Sequence, residues 1–373
     1  MVYFDDRNII YFLIYIGMYI VLFLSGYFID RSRRLKWYMW IIPIFAYALN
    51  VGLRFGRGTD YYLYLEDFDR FADGSYPGEE PFFYFLCHFI RDGLGYSWPS
   101  AVFIMSFIMM TSGCVLLSSH KGIISYALPL FAYYSSFSEQ LSRWFLAFSF
   151  VIIGIMFFQK ELEKHNLCIA LLLFFCGILF HYGIIIVVLI LIIIRKFDTP
   201  LLSPPIAVVL MLFTYTFLDS TIFSGYLDKF SFLSINGRFD NYFVDKTRFI
   251  KEFENYGLSI TDLIIFIIFI YKGATLVNKC KSLVYFYNIA LIGVVLSPFM
   301  LKYELLLRIN YCLTFFMFLL LAYAFYFDFK KFRFSSFFSL LVALMLLKNI
   351  VFSSFSIPGY KLLYIWDVTI NAL

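Results

Sequence analysis

A cationic, glycine-containing segment at residues 54–60, RFGRGTD, is the part of the sequence best suited to binding an anion. Arginine binds phosphate through a fork of N–H groups, and glycine lets the backbone approach a ligand closely. Thr59 or Asp60 can cap a following helix, whose N-terminus also favours negative charge. The segment therefore predicts a phosphate site, although Arg54 reaching lipid headgroups while Arg57 pairs with Asp60 is a competing interpretation.

Two polar residues further along the chain stand beside long apolar runs. Arg143 heads one run, so it should face the interior of a helix bundle or a water-filled cavity, unless it and Trp144 simply anchor the chain at a membrane interface. His181 lies between two apolar runs. An imidazole titrates near neutral pH and is suited to proton transfer, while an ordinary packing role is the competing interpretation.

Two later segments add basic residues to the candidates. Glu304 and Arg308 can pair on one helix face, so Arg308 is either part of a structural ion pair or a functional cation. Residues 219–257 place Arg238 and Arg248 among aromatic side chains. That composition suits a phosphate and a sugar ring as well as it suits a solvated loop.

The elements that position these residues follow from a composition that excludes a water-soluble globular protein. Of 373 residues, 62% are hydrophobic and 15% are charged, whereas soluble domains are about half apolar and about a quarter charged. The apolar runs are hydrophobic on every face, which favours membrane-spanning helices over the alternating strands of a β-barrel. We therefore predict an all-α polytopic transmembrane bundle.

The apolar runs predict about twelve spans, several of them short, in a single domain. They cover residues 8–29, 37–53, 98–119, 122–137, 141–158, 167–180, 183–194, 201–218, 258–276, 283–300, 305–327 and 335–352. Two larger segments, 54–97 and 219–257, are predicted to face outward and to contain short helices. Within the first of them, the hydrophobic piece 81–90 is too short to cross and should be interfacial or re-entrant.

Charge assigns the two sides of the membrane. The basic cluster at residues 31–36 follows the first span and should stay in the cytoplasm. With an even number of spans, this places both termini outside.

Some motifs of known enzymes are excluded. Asp67 and Asp69 form a DxD pair, a pattern that holds a metal and a nucleotide sugar in soluble glycosyltransferases. The predicted topology argues against that role, because the pair lies on the outer side and nucleotide sugars are cytoplasmic. The sequence has no GxxxxGK[ST], GxSxG or HExxH motif, and its six cysteines form no CxxC, so ATP-driven transport, zinc hydrolysis and a disulfide framework have no support.

Several motifs, in order over roughly residues 50–310, resemble the EpsG family, a branch of the Wzy-like polysaccharide polymerases. They are R-x-x-x-G-T-D-x-x-x-Y from Arg54 to Tyr64, the arginine heading an apolar helix at Arg143, the histidine between helices at His181, and Y-x-x-x-x-R from Tyr303 to Arg308. The chain departs from the family pattern in having Trp144 where glutamine usually follows the arginine.

The resemblance implies a glycosyltransferase that joins polysaccharide repeat units carried on undecaprenyl diphosphate. It would be a multi-pass protein of the bacterial cytoplasmic (inner) membrane, with its site facing the periplasm or exterior and with no metal or cofactor. A base must take the proton of the acceptor hydroxyl, and cations must stabilise the leaving diphosphate. The expected base is Asp60 or His181, and the expected diphosphate ligands are Arg54, Arg57, Arg143 and Arg308. The expected sugar and loop contacts are Tyr61, Tyr64, Arg238, Arg248, Tyr303 and Glu304.

Other functions compete with polymerisation. An O-antigen ligase-like enzyme would use the same donor with a different acceptor, and a flippase of lipid-linked oligosaccharide would form no bond. An O-acyltransferase would need a cytoplasmic histidine, either His120 or His165. The expected partners are an undecaprenyl-diphosphate-linked oligosaccharide, membrane lipids and, where glycan length is controlled, a chain-length regulator protein; no nucleic acid partner is expected.

Overall fold

The computed structural model describes residues 6–56, 60–70, 80–139, 141–158, 164–217, 258–301, 303–330, 336–355 and 363–364. Most of these residues are helical. The α-helices are α1 (Asp6–Arg31), α2 (Ile41–Gly52), α3 (Tyr61–Arg70), α4 (Pro81–His88), α5 (Trp98–Leu117), α6 (Ile124–Tyr134), α7 (Ser142–Phe158), α8 (Lys164–Phe180), α9 (Ile184–Ile194), α10 (Pro204–Phe217), α11 (Ile260–Lys279), α12 (Val284–Met300), α13 (Glu304–Phe315), α14 (Met317–Lys330) and α15 (Ser336–Phe355).

Short irregular elements join these helices. Tight helical turns at Trp37–Trp40, Ser136–Glu139 and Lys281–Leu283 precede α2, α7 and α12, and a wide helical turn at Phe89–Gly93 continues α4. Strand β1 (Arg54–Phe55) pairs antiparallel with β2 (Leu363–Tyr364), with Arg54 opposite Tyr364. This two-residue pairing is a small departure from the predicted all-α chain.

The helices are apolar enough for lipid, but they differ in length. In the described residues, five segments are long and apolar enough to cross a membrane: Phe12–Arg31, Trp98–Leu117, Ile260–Lys279, Lys281–Met300 and Leu306–Lys330. Shorter apolar helices include α9, with 11 residues, and about 20 are needed to cross a hydrocarbon layer. The all-α prediction is confirmed, whereas the count of twelve crossings is not.

The predicted span 305–327 is the clearest local difference. The structure divides it into α13 and α14 at Phe316. Thr314 donates its hydroxyl to the carbonyl of Asn310 at 2.8 Å, a back-bond that is typical of bent helices. The helix is therefore interrupted close to a polar side chain, at a position that hydropathy alone does not indicate.

The described chain forms two compact units, one from residues 1–189 and 321–373 and the other from residues 190–320. In the first unit α7 packs against α5 and α8, and α1 packs against α2 and α6. Gly26 permits the α1–α6 contact, because an added Cβ would lie 2.6 Å from the carbonyl oxygen of Ile124. In the second unit α12 packs against α10, α11 and α13.

Loop contacts in the first unit show which loops share a side. Asp30 accepts hydrogen bonds from the backbone N–H groups of Gly122 at 2.7 Å and Ser125 at 2.9 Å. Both segments were assigned to the cytoplasm from charge. Arg54 instead contacts residues 138–142, and both of these segments were assigned to the outside. The contacts therefore agree with the predicted pairing of loops, and which side is cytoplasmic stays a prediction.

Candidate active site

Three buried polar side chains from three different elements meet in the first unit. Glu80 precedes α4, Arg143 lies in the first turn of α7, and His181 follows α8. Their exposed fractions are 6%, 9% and 9%. Pro81 explains part of this arrangement, because proline at the first helical position begins a helix without losing a needed N–H group.

The Glu80 carboxylate faces both of the other side chains. Its Oε2 atom lies 2.9 Å from Nη1 of Arg143, and its Oε1 atom lies 3.5 Å from Nδ1 of His181. The backbone N–H of Gly183 donates to the same Nδ1 atom at 3.1 Å. One carboxylate thus forms an ion pair with a guanidinium and stands close to an imidazole.

Aromatic rings enclose this cluster. The Arg143 guanidinium carbon lies 5.2 Å from the ring centre of Tyr64 and 5.3 Å from that of Phe83, distances that allow cation–π attraction. The Trp144 ring contacts the His181 ring edge-to-face, with 4.7 Å between their centres. Water is therefore largely excluded, and charge interactions are stronger than they would be at a solvated surface.

A second acidic residue, Asp67, shares the neighbour Cys87 with Arg143. Asp67 is 8% exposed and lies on the buried face of α3 with Tyr64. Burial raises the pKa of the Cys87 thiol to about 12, and the charges of Arg143 and Asp67 act on it in opposite directions. The cluster is consequently not a bare cationic pocket, because the Glu80 carboxylate compensates the charge of Arg143.

Arg54 has a different environment from the one predicted for a diphosphate ligand. It is only 1% exposed. Its guanidinium donates to the carbonyl oxygen of Val51 at 2.6 Å, to that of Glu139 at 3.2 Å and to Oγ of Ser142 at 2.8 Å. These bonds connect the end of α2 to the start of α7, so Arg54 supports the segment that presents Arg143.

The aromatic residues predicted to contact sugar face inward. Tyr61 and Tyr64 are 2% and 4% exposed, and both rings lie 6.2 Å from the ring of Trp98. Burial raises the pKa of Tyr61 to about 12, and the charge of Arg54 opposes this shift. In the described residues these rings pack against protein, because α3 is amphipathic and turns its aromatic face toward the helices beneath it.

Asp60 lies half-buried in the turn before α3, and its carbonyl oxygen accepts the N–H of Tyr64 at 2.9 Å. Gly56, at the end of the preceding described range, has a φ of +64°, which most other residues avoid. Arg57 lies outside the described residues, as do Gly58, Thr59, Arg238 and Arg248.

The late motif belongs to the second unit. Tyr303 is 2% exposed, directly precedes α13 and contacts Phe299, with 5.3 Å between ring centres. Arg308 is half-buried in α13. For Glu304 only the backbone is described, as the first residue of that helix.

Glu80 is the residue that sequence reasoning missed. It lies in a polar stretch, GEEP at residues 78–81, that resembles an ordinary solvated loop. The available signal is an acidic residue directly before a proline and an apolar helix, which indicates a helix start. Its burial depends on α7 and α8, which lie far away in the sequence.

Comparison with known protein families places most of the chain in one of them. A model of the EpsG family matches residues 37–364, a range that includes Arg54, Glu80, Arg143, His181 and Arg308. No curated protein and no solved structure matches the chain significantly. Within the described ranges, no group of three or more His, Cys, Asp and Glu residues is arranged to hold a metal ion.

Proposed function

Since the chain belongs to the EpsG family, whose members are Wzy-like polysaccharide polymerases, we propose that it lengthens a glycan on its lipid carrier. It would transfer the growing glycan from undecaprenyl diphosphate to a sugar hydroxyl of an incoming lipid-linked repeat unit. The multi-pass membrane architecture suits a substrate with a polyprenyl tail. We place the reaction on the outer side of the bacterial cytoplasmic membrane, because the charge distribution assigns the site's loops to that side.

The observation that carries this proposal is the buried contact of Glu80 with Arg143 and His181. In the reaction, the acceptor oxygen bonds to the anomeric carbon while the bond from that carbon to the diphosphate oxygen breaks. The electron pair leaves with the diphosphate, so a cation must stabilise it, and a base must accept the hydroxyl proton.

We assign the cation to Arg143 and the base to His181. A preorganised guanidinium in a water-poor site stabilises developing charge more than one in bulk water would. Binding of the diphosphate by Arg57 and by Arg308 stays a prediction from the family resemblance, and the proposal requires no metal ion. Asp60 is the alternative base, and His181 is favoured because it faces Glu80 next to Arg143.

A deletion strain complemented with single variants tests the proposal. We expect Arg143→Ala and His181→Ala to leave single repeat units on the surface and to abolish the ladder of longer glycans on a gel. Arg70→Ala is the control, because Arg70 is 62% exposed and pairs only with the equally exposed Glu66 among the ion pairs described. Immunoblots of membranes would verify equal amounts of protein.

The glycan pattern also separates the competing functions. A ligase defect would leave long, unattached polymer on its lipid, and a flippase defect would retain lipid-linked units inside the cell. Normal ladders from both Arg143→Ala and His181→Ala would contradict the assignment of this site.

A further inference from the structure

Glu80 stands between the two groups to which the reaction is assigned. We propose that Glu80 is a positioning residue that exchanges partners: its carboxylate moves from Arg143 to Nδ1 of His181 when a lipid-linked diphosphate binds. This inference rests on the proposed function. It adds Glu80 to the residues proposed for the reaction and links binding of the substrate to the state of the base, His181.

The distances show which of the two contacts is formed in the structure. Glu80 Oε2 lies 2.9 Å from Arg143 Nη1, which is a short separation for a buried ion pair. Glu80 Oε1 lies 3.5 Å from His181 Nδ1, which is beyond a normal hydrogen bond. A movement of about half an ångström would bring this second contact within hydrogen-bond range.

The hydrogen bond from Gly183 indicates which tautomer of His181 this arrangement favours. Because the Gly183 N–H donates to His181 Nδ1 at 3.1 Å, that atom carries a lone pair. A neutral imidazole then carries its proton on Nε2 and cannot accept another proton there. A base at Nε2 requires the proton to be on Nδ1, and a carboxylate beside Nδ1 stabilises that tautomer.

The substrate supplies the reason for the exchange. A diphosphate binds a guanidinium through a fork of two N–H groups and competes with the single carboxylate contact of Glu80. Like charge then repels the carboxylate from the diphosphate. The imidazole of His181 is within reach of the displaced Glu80 carboxylate, because its Nδ1 atom lies 3.5 Å from Oε1.

When the diphosphate binds, His181 releases its Nε2 proton to water, takes a proton at Nδ1, and turns Nδ1 from the Gly183 N–H toward the Glu80 carboxylate. It then takes the hydroxyl proton at Nε2 as the acceptor oxygen bonds to the anomeric carbon. The bond from that carbon to the diphosphate breaks, and Arg143 stabilises the leaving charge. The imidazolium, paired with Glu80, then gives its proton to the released diphosphate or to water.

A purely structural role for Glu80 makes a different prediction. If the carboxylate only fastens α4 to α7, its removal should loosen the cluster and weaken both binding and turnover. If it exchanges partners, its removal should free Arg143 for the diphosphate while depriving His181 of the group that prepares it. Binding and turnover should then change in opposite directions.

The experiment uses the full-length chain in lipid nanodiscs and undecaprenyl diphosphate as the binding probe, together with the glycan ladder of complemented cells. We expect Glu80→Gln to bind the probe several-fold more tightly than the wild type while forming at least about tenfold less polymer. Glu80→Asp should recover part of the polymer. Glu66→Gln is the control, because Glu66 is 62% exposed in its pair with Arg70, and it should change neither quantity.

Two results would overturn the inference. One is a wild-type amount of polymer from Glu80→Gln; the other is weaker binding of the probe by this variant, together with a lower unfolding temperature. Normal ladders from Arg143→Ala and His181→Ala would instead overturn the proposed function. Loss of the ladder in these two variants but not in Glu80→Gln would overturn the exchange alone.

Discussion

Two buried arginines illustrate how surroundings decide the use of a charged residue. Arg54 donates to backbone carbonyls and a serine hydroxyl, which are fixed parts of the framework. Arg143 contacts a carboxylate side chain and two ring faces, and a carboxylate side chain can rotate away. An anionic ligand can therefore replace the carboxylate partner of Arg143 at a moderate cost in free energy, whereas it cannot replace the fixed partners of Arg54.

This contrast predicts that Arg54→Ala mainly lowers the stability of the fold. Its removal would leave buried carbonyls without donors, so we expect the free energy of unfolding to fall by about 2–4 kcal/mol. Thermal unfolding of the purified chain in detergent would measure this loss. Ser142→Ala, which removes one acceptor of Arg54, should lose only about 1 kcal/mol. An unchanged unfolding temperature with weaker binding of undecaprenyl diphosphate would instead make Arg54 a ligand.

His120 predicts a pH dependence of stability away from the site. It lies in the loop between α5 and α6, 7% exposed, with Nδ1 at 3.1 Å from the Tyr323 hydroxyl oxygen. Burial lowers the pKa of His120 to about 4. Since the unfolded chain gains this proton near pH 6.5 and the folded chain does not, stability should fall as the pH drops from about 6.5 to about 4, by up to about 3 kcal/mol.

The matched variant for this prediction is His120→Gln, which keeps a polar side chain but has no proton to gain. Unfolding temperatures of both proteins would be measured from pH 7.5 to about pH 4.5. As the pH falls, the unfolding temperature of the wild type should drop more than that of His120→Gln, so the difference between them should narrow or reverse in favour of the variant. A gap that stays constant over this range would show that His120 does not resist protonation.

At the scale of elements, the turn between α8 and α9 positions the imidazole. Gly183 both donates its N–H to His181 and leaves room for Trp144, because an added Cβ would lie 2.5 Å from Cζ3 of Trp144 and 3.3 Å from Cε1 of His181. The start of α7 and the end of α8 are therefore locked together by one small residue. Any larger side chain must displace a buried indole or the candidate base.

We accordingly predict that Gly183→Ala shortens or abolishes the glycan ladder and lowers the free energy of unfolding by about 1–3 kcal/mol. Gly17→Ala in α1 is the control, since a Cβ added at Gly17 would have no atom within 4 Å, and it should be neutral. Combining Gly183→Ala with Trp144→Phe should recover part of the loss, because the smaller ring gives way. Normal polymerisation by Gly183→Ala would contradict the fixed placement of His181.

Sequence patterns predicted the helices well and the site only in part. Continuous apolar runs predicted helices where α1, α5 and α7 lie, because lipid requires every backbone group of a span to be satisfied within the helix. The inward placement of Arg143 was one of the two interpretations that its position at the head of an apolar run allowed. The burial of Glu80 and Arg54 could not be predicted, because it arises from contacts with segments 60 or more residues away.

At the scale of the whole molecule, the assignment of sides depends on charge. Ser97, before α5, and Ser118, after it, are both exposed and lie at opposite ends of one long apolar helix. We predict that Ser97→Cys reacts with a membrane-impermeant maleimide in intact cells, whereas Ser118→Cys reacts only after permeabilisation. The unmodified chain, with its native cysteines, provides the background. The reverse pattern of labelling would place the Glu80 cluster on the cytoplasmic side.

The central claim is that this chain itself forms glycosidic bonds from lipid-linked units. Its most direct test is to reconstitute the purified protein in vesicles with lipid-linked repeat units extracted from the deletion strain. We predict glycans of increasing length together with release of undecaprenyl diphosphate, and neither product with Arg143→Ala. Repeat units that stay single with the wild-type protein, or that only change leaflet, would contradict the account.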